Sequence, residues 1–255
     1  MSNIRIKTAE EIAGIRKACR LAADVLDMIG DYVKVGVTTL ELDNIMNQYI
    51  LDNGGISACY GYGDPGFPKY TCISVNHVVC HGIPSDKKLK KGDILNIDVT
   101  VILDGYFGDN SRMYTAGDVS TLARRLIDTT YECMMLGIET VKPGASFREI
   151  GQAIEKHAHA NHFSVVEDFC GHGVGIEFHE APLVLHYDSP KVTDVMAEGM
   201  IFTIEPMLNV GKHTCKVLSD GWTVVTRDRS LSAQWEHQIL VTATGHEILT
   251  LPKKA

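Results

Sequence analysis

Two aspartates of the chain lie where they could share a metal site. From Ile94 to Ile102 apolar and polar residues alternate, which predicts a β-strand with Asp98 and Thr100 on its polar face. Asp104-Gly105 predicts a two-residue hairpin loop, which sets Thr100 opposite Asp109 on the next strand. Asp98 and Asp109 would then be diagonal neighbours, roughly 7 to 8 Å apart. Carboxylates so placed could converge on two cations about 3.5 to 4 Å apart, although a polar sheet face in water is an alternative interpretation.

Further candidate groups follow in glycine-rich or extended segments. The stretch from Gly171 to Glu180 holds His172 and His179 in a predicted strand or turn. It lacks the His-Glu-x-x-His pattern of a zinc-binding helix, because His179-Glu180 is followed by Ala181-Pro182. The other candidates are His81 in a predicted tight turn at 80–84 and Glu205, which precedes Pro206 at a predicted strand end. The last is Glu236, inside a predicted strand at 233–241.

The elements that must position these groups can also be predicted. Capping boxes at Thr8 and Thr38 each predict the start of an amphipathic helix, the first extending to Ile29 and the second to about Asn53. A third helix is predicted from about Ser120 to Val141, and residues 72–79 are predicted to form one strand.

The chain contains a repeated pattern. Lys142 to Ile150 aligns with Lys34 to Leu42 at an offset of 108 residues, and Gly199 to Glu205 aligns with Gly92 to Asp98 at an offset of 107. Chance similarity of short segments is the alternative, but a nearly constant offset favours duplication. We therefore expect a single catalytic domain over residues 1–255, with an internal repeat of about 8–113 and 118–250.

Composition excludes several classes of protein. The formal net charge of −8 and the pI near 5.7 argue against a specific nucleic-acid interface. Seven scattered cysteines without a Cys-x-x-Cys pair argue against a disulfide framework or a zinc ribbon. The sequence contains no apolar run of membrane-spanning or signal-peptide length, so we expect a cytoplasmic protein without a membrane partner.

From about Ile6 to Leu251 the sequence resembles the methionine aminopeptidases. The motifs that resemble this family are Asn-Ile-Asp98 with Asp109, the Gly-His172-Gly run ending in Phe-His179-Glu, Thr-Ile-Glu205-Pro and Glu236-His. The resemblance implies an α+β pita-bread fold of the creatinase and aminopeptidase type. In this fold two pseudo-symmetric αβ halves with antiparallel sheet surround a central dimetal site.

The resemblance also implies roles for individual residues. Asp98 would bind one divalent ion and His172 with Glu205 the other, while Asp109 and Glu236 would bridge the two ions. The implied activity is removal of the initiator methionine from nascent proteins and peptides with a small second residue, by a metal-bridging hydroxide. Glu205 would shuttle the proton, His179 would hydrogen-bond the developing oxyanion, and His81 would contact the substrate near its first amide. The residues that match the family's methionine pocket are Cys59, Tyr62, Phe67, Cys72, Phe178 and Trp222.

Two features indicate which type of the family the sequence resembles. The 25 residues between His179 and Glu205 leave no room for the helical insertion of the type II enzymes, and no cysteine-rich extension precedes Ile6, so the chain resembles the short bacterial type I form. The segment from Gly63 to Gly66 is about two residues longer than the family's usual form, which makes Phe67 a weaker pocket assignment.

Three alternative functions agree less well with the sequence. A proline-specific peptidase shares the fold and the ligand pattern, but such enzymes have a large N-terminal domain that we do not expect in this chain. A non-catalytic pita-bread binding protein would have lost the ligands. A glycosidase that used Asp98 and Asp109 would leave three ligands unexplained.

The candidate ligand set is rich in hard oxygen donors. It suits Mn²⁺, Fe²⁺ or Co²⁺ better than the thiolate sites that select Zn²⁺, and the sequence leaves Co, Mn, Fe and Zn open. Some family members also bind a monovalent cation through main-chain oxygens near the positions of Asn76, Val78 and Ser232. The expected partner is a peptide or nascent-chain N-terminus. A monomeric state and a transient ribosome contact are hypotheses that no residue pattern decides.

Overall fold

The computed structural model describes residues 4–252, which form four α-helices and fifteen β-strands. The helices are α1 (Ala9–Ile29), α2 (Thr39–Asp52), α3 (Thr121–Glu139) and α4 (Phe147–Ala160), and a 3₁₀ turn at Gly30–Tyr32 follows α1. The strands up to the end of the hairpin are β1 (Ile56–Ser57), β2 (Cys72–Val75), β3 (Val78–Cys80), β4 (Ile94–Leu103) and β5 (Tyr106–Thr115). The remaining strands are β6 (Ser164–Val165), β7 (Gly171–Gly173), β8 (Glu180–Val184), β9 (Ile201–Ile204), β10 (Met207–Asn209), β11 (Cys215–Val217), β12 (Val224–Thr226), β13 (Ser232–Gln234), β14 (His237–Val241) and β15 (His246–Ile248).

The β4–β5 hairpin has the predicted register. Leu103 pairs with Tyr106, and Thr100 pairs with Asp109. The loop residues Asp104 and Gly105 both have positive φ, at 53° and 82°, as a type I′ hairpin turn requires. The apolar face of β4 is buried in a core cluster shared with residues of α1 and α2. The opposite face, which contains Asp98 and Thr100, is therefore turned toward the rest of the molecule.

Corresponding elements recur in the two halves of the chain. Thr38 and Ser146 each cap a 14-residue helix through a capping box, and each also forms an isolated β-bridge, with Lys88 and Val195 respectively. One apolar core lies beneath α1 and α2, and a second lies beneath α3 and α4. The antiparallel sheets and the paired helices form the pita-bread fold expected from the resemblance.

The second half is organised around a five-stranded sheet with strand order β15-β14-β9-β7-β8. The smaller sheets have the orders β13-β10-β6 and β11-β12-β3. Contacts between the halves include the hydrogen bond from Asn96 Nδ2 to the Gln234 carbonyl, at 2.9 Å, and the bond from Phe107 N to the Gly175 carbonyl, at 3.0 Å. These contacts bring the polar face of the hairpin against β7, β9 and β13–β14.

Two strand predictions were wrong in their extent. The predicted strand at 72–79 is divided at Asn76, whose φ of 57° is left-handed, so β2 pairs with β4 while β3 pairs with β12 in another sheet. The predicted strand at 233–241 is divided at Trp235 and Glu236, so β13 pairs with β10 and β14 with β9. Periodicity did not reveal these breaks, because most residues on either side of them are buried, as they would be in a continuous strand.

Two further features concern the thiols and the helices of the described part of the chain. All seven cysteines have free thiols, and six are buried. None of the helices between residues 4 and 252 combines the length and apolar character that a membrane-spanning helix needs.

Candidate metal centre

A cavity of about 900 Å³ lies between the two halves, and every predicted site residue lines it. These residues are Cys59, Tyr62, Phe67, Cys72, His81, Asp98, Asp109, His172, Phe178, His179, Glu205, Trp222 and Glu236. One end of the cavity contains the acids and His172, and another contains the aromatic and thiol groups. The structure thus brings together residues that are up to 177 positions apart in the sequence.

The acids reach the cavity from separate elements. Asp98 and Asp109 extend from the hairpin, and Glu205 is the first residue after β9. Glu236 lies in the break between β13 and β14, where its backbone forms an isolated bridge to Ser111. Asp98 also pairs with Ser111, so Ser111 aligns these two acids across the join between the halves.

Three of the predicted ligands are close enough to bind one ion together. Asp109, His172 and Glu236 offer ligand atoms that all lie within 4.8 Å of one another. His172 Nε2 lies 3.6 Å from Asp109 Oδ2 and 3.6 Å from Glu205 Oε1. A fourth predicted ligand therefore adjoins this group.

The acids are buried against one another. Burial raises the pKa of Asp109 to about 7. Burial, reinforced by the charge of Asp109, raises the pKa of Asp98 well above its usual range. The pKa values of Glu205 and Glu236 are likewise raised by burial and by the neighbouring acids. Four ionised carboxylates buried in one group are costly unless positive charge accompanies them.

His172 is oriented as a metal ligand would be. Its Nδ1 lies 3.0 Å from the Gly173 carbonyl oxygen. Because a carbonyl oxygen can only accept a hydrogen bond, Nδ1 carries the ring proton and donates, and Nε2 keeps its lone pair. Burial lowers the pKa of His172 to about 3, so the ring is neutral near pH 7. The Gly173 position is tightly packed, because a Cβ there would lie 2.1 Å from the Ala181 carbonyl oxygen of β8. This close contact between β7 and β8 helps to fix the ring.

These groups fit divalent cations. The Nε2 lone pair of His172 lies 3.6 Å from Asp109 Oδ2 and 3.6 Å from Glu205 Oε1. These three acceptors need a cation or a proton between them. Asp98 Oδ1 is buried and has no hydrogen-bond partner among the described residues. A hard oxygen-rich set with one imidazole matches Mn²⁺, Fe²⁺ or Co²⁺.

Hydrogen-bond donors that sequence reasoning did not assign hold these acids in place. Thr100 Oγ1 donates to Asp109 Oδ1 at 2.8 Å, and Thr203 Oγ1 donates to Glu205 Oε1 at 2.6 Å. Gln234 Nε2 donates to Glu205 Oε2 at 3.2 Å. Thr203 and Gln234 each stand two residues before a predicted ligand, and residues two apart share a strand face. This spacing was the available signal for them.

The two histidines without a predicted metal-binding role differ in their surroundings. The His179 ring lies 4.1 Å from the ring of His172, and its Nδ1 lies 2.7 Å from the Tyr62 hydroxyl. Burial lowers the pKa of His179, and it lowers the pKa of His81 to about 4. His81 contacts the edges of Phe169 and Trp222, with ring centroids 5.7 and 6.0 Å away. Both rings are therefore neutral near pH 7.

The apolar end of the cavity is a small cluster around two thiols. Cys59, Phe67 and Cys72 are buried together, and Phe178 and Trp222 pack against them. Phe67 lies edge-on to Trp222, with ring centroids 5.3 Å apart, so it belongs to this cluster despite the longer preceding segment. A hydrogen bond from Cys72 to Cys59, together with burial, raises the pKa of Cys72 well above its usual range. A neutral thiol is a poor nucleophile, which argues against a cysteine-peptidase mechanism.

Comparison with known proteins is consistent over nearly the whole chain. The model of metallopeptidase family M24 matches residues 13–243. Methionine aminopeptidase from Escherichia coli (strain K12) is 56% identical over 252 residues, which cover 98% of this chain and 95% of that protein. The crystal structure of methionine aminopeptidase from Rickettsia prowazekii superimposes with a TM-score of 0.95 at 51% identity, covering 97% of this chain and 100% of that one. A prolidase from Pyrococcus furiosus is more distant, with a TM-score of 0.76 at 25% identity, covering 98% of this chain and 66% of that one.

Proposed function

The chain belongs to metallopeptidase family M24, among the methionine aminopeptidases, and on this premise we propose that its five converging ligand candidates hold two divalent cations. The enzyme is a metal-dependent hydrolase that removes an N-terminal methionine from peptides. The ligands in this proposal are Asp98, Asp109, His172, Glu205 and Glu236. The observation that supports it most strongly is the set of buried acceptors around His172 Nε2, at 3.6 Å, without a donor between them.

The ligands divide between two ions. His172 and Glu205 would bind one ion and Asp98 the other, while Asp109 and Glu236 would bridge them. The close grouping of Asp109, His172 and Glu236 supports this division on the His172 side. On the other side, the unpartnered Asp98 Oδ1 supplies a free acceptor.

Bound divalent cations supply a reactive water near neutral pH and polarise the scissile carbonyl. The chain's own contribution is to orient the reacting groups and to move protons. Thr203 and Gln234 hold both oxygens of Glu205 by hydrogen bonds. In this position Glu205 takes the proton from the attacking water and delivers it to the departing amine.

His179 is the proposed donor to the developing oxyanion. The Tyr62 hydroxyl can donate to Nδ1 at 2.7 Å, which leaves the single proton of the neutral ring on Nε2. His81, partly buried and neutral at the same cavity, is proposed to contact the substrate near its first amide.

Replacement of His179 tests this role. His179→Ala is expected to lower kcat by about 10²- to 10³-fold, because removal of one positioned oxyanion donor typically lowers kcat by that factor. The measurement is steady-state hydrolysis of Met-Ala-Ser together with the metal content of the purified variant, which should not change. His159→Ala, an exposed histidine of α4, is the matched control and should behave as wild type. Wild-type turnover by His179→Ala would remove the role.

The methionine side chain is proposed to enter the thiol and aromatic cluster. Cys59, Phe67, Cys72, Phe178 and Trp222 present a polarizable, apolar surface suited to a thioether. Tyr62 packs on Phe178 with ring centroids 4.7 Å apart and adds to the wall. The second residue of the substrate is proposed to be small, from the family resemblance alone.

Peptide hydrolysis with and without a chelator tests the proposed function. The substrates are Met-Ala-Ser, Met-Leu-Ser and Ala-Pro peptides, and methionine should be released only from the first. Chelation should abolish this release, and added Mn²⁺ or Co²⁺ should restore it. Cleavage of Ala-Pro in preference to Met-Ala-Ser would instead support the proline-specific peptidase, whose fold is shared.

Further properties belong to the same proposal. We propose one catalytic domain with an internal repeat of about 8–113 and 118–250, supported by the capping boxes at Thr38 and Ser146. We also propose a monomer that acts in the cytoplasm on nascent chains and contacts the ribosome transiently. The seven free thiols support the reducing compartment alone. A monovalent cation near Asn76, Val78 and Ser232 is proposed from the family resemblance alone.

A further inference from the structure

Lys7 is buried, which is unusual for a lysine. Its side chain is 1% exposed, and its Nζ lies 2.5 Å from Glu180 Oε2, itself in a side chain that is only 10% exposed. The two residues are 173 positions apart in the sequence. Lysine is almost never fully buried unless it is paired with an opposite charge, so this contact points to a specific function for the pair.

The same glutamate organises a turn beside the metal centre. Glu180 Oε1 accepts hydrogen bonds from the backbone N–H groups of Ile176, at 2.8 Å, and Glu177, at 3.0 Å. Residues 174–179 form the turn between β7 and β8, and this turn contains Phe178 and His179. One oxygen of Glu180 therefore fixes the backbone that presents both residues, while the other oxygen meets Lys7.

Lys7 is itself held by the second half of the molecule. Its backbone N–H donates to the Gly199 carbonyl at 2.9 Å, two residues before β9 begins. Strand β9 leads directly to Glu205. The segment before α1 is thus fixed to the element that positions one proposed catalytic group, and through its side chain it supports the turn that positions another.

We propose that Lys7 is a positioning residue for catalysis, acting through Glu180 on the turn that presents His179. This inference rests on the proposed role of His179. Without the ammonium, the Glu180 carboxylate is a buried and unbalanced charge, and it regains solvation only by leaving the turn. A displacement of about 1 Å at a catalytic group can cost about 10²-fold in rate.

An ion pair of α1 provides a matched control. Arg16 contacts Glu247 of β15, and their side chains are 47% and 40% exposed. This pair joins α1 to the second half, but it involves no residue of the turn at 174–179. Loss of a general attachment of α1 would therefore be reproduced by Arg16→Met, and loss of turn positioning would not.

The test is a double-mutant cycle between Lys7→Met and His179→Ala, with kcat and KM measured on Met-Ala-Ser. Metal content, circular dichroism and thermal melting are recorded for each purified variant. Lys7→Met is expected to lower kcat at least about tenfold with metal content unchanged. In the His179→Ala background the same change should lower kcat less than about twofold, because its effect passes through His179. Arg16→Met should retain wild-type kcat.

A second variant keeps the test decisive if Lys7→Met folds poorly. Lys7→Met/Glu180→Gln removes both charges, while the glutamine carbonyl can still accept the two backbone N–H groups. It should recover at least about threefold in kcat over Lys7→Met, or fold where Lys7→Met does not. Absence of any recovery would overturn the proposal.

The remaining outcomes separate this proposal from the proposed function. Normal turnover by Lys7→Met beside an impaired His179→Ala would overturn the role of Lys7 alone. An equal loss from Lys7→Met in both backgrounds would also overturn it, because the effect would not pass through His179. Wild-type turnover by His179→Ala would overturn the role of His179 and the Lys7 proposal together.

Discussion

Replacement of Glu205 with glutamine is expected to lower kcat for Met-Ala-Ser by about 10²- to 10⁴-fold, the range typical of a positioned general acid–base group. The amide keeps the shape of the side chain and can still accept from Thr203, which donates to Oε1 at 2.6 Å. It cannot take up and release a proton near neutral pH, and it is a weaker metal ligand. The measurement is kcat and KM on Met-Ala-Ser in excess Mn²⁺ or Co²⁺, with the metal content of the variant.

The control for this prediction is an exposed acid close in sequence. Glu198→Gln alters a surface side chain that does not line the cavity, and it should leave kcat unchanged. If Glu205→Gln bound metal normally and turned over as wild type, Glu205 could not be the proton carrier. A loss confined to metal affinity, fully reversed at high metal concentration, would make it a ligand only.

Asp109→Asn is expected to have two opposite effects. It should lower activity at least about 10²-fold, because the proposed shared ligand of both ions would be lost, and loss of a group that only supports a ligand typically costs 10- to 100-fold. In metal-free protein it should instead raise the melting temperature near neutral pH. It removes one of four buried acids, and Asn can keep the hydrogen bond from Thr100.

The pH dependence of the second effect follows from the direction of the pKa shift. Burial raises the pKa of Asp109 from 3.8 to about 7. In the metal-free wild type the folded state therefore binds this proton more tightly than the unfolded state. The resulting stabilisation is complete below about pH 4 and is lost as pH rises through about 7. Asparagine does not titrate, so the advantage of the variant should grow across that window.

This effect is measured by thermal melting of chelator-treated wild type and Asp109→Asn from about pH 4 to pH 8. Titrating histidines are common to both proteins, so the difference between them reports residue 109 together with the neighbouring acids whose pKa values its charge raises. A gain of about 1 to 2 kcal/mol would appear as about 2 to 8 °C above pH 7. Asp118→Asn is the control, because the Asp118 side chain is 93% exposed. A difference that does not change with pH, or that favours wild type as pH rises, would contradict the burial argument.

Local features of the fold could be predicted because they depend on local chemistry. The hairpin register followed from Asp104-Gly105 and the alternation before it, and it was confirmed residue by residue. Thr8 and Thr38 form the predicted capping boxes. Each of these features is determined by side chains that lie within a few residues of the backbone they contact.

Features that depend on contacts between distant segments could not be predicted from the residues alone. Glu236 was placed inside a continuous strand, whereas it lies in a break between two sheets and bridges to Ser111 on the hairpin. The pairing of Lys7 with Glu180 had no signal in the sequence, because an isolated lysine and glutamate are ordinary surface residues. The assignment of ligands to two ions came from family resemblance, and it remains a proposal.

The most direct test of the proposed dinuclear centre is the number of divalent ions that the protein binds. Chelator-treated wild type would be titrated with Mn²⁺ or Co²⁺ by calorimetry, and Asp98→Asn and Asp109→Asn would be titrated in parallel. The proposal predicts two ions per wild-type chain, one for Asp98→Asn, and weaker binding at both sites for Asp109→Asn. Failure of the wild type to bind a divalent ion, or binding that neither substitution alters, would contradict it.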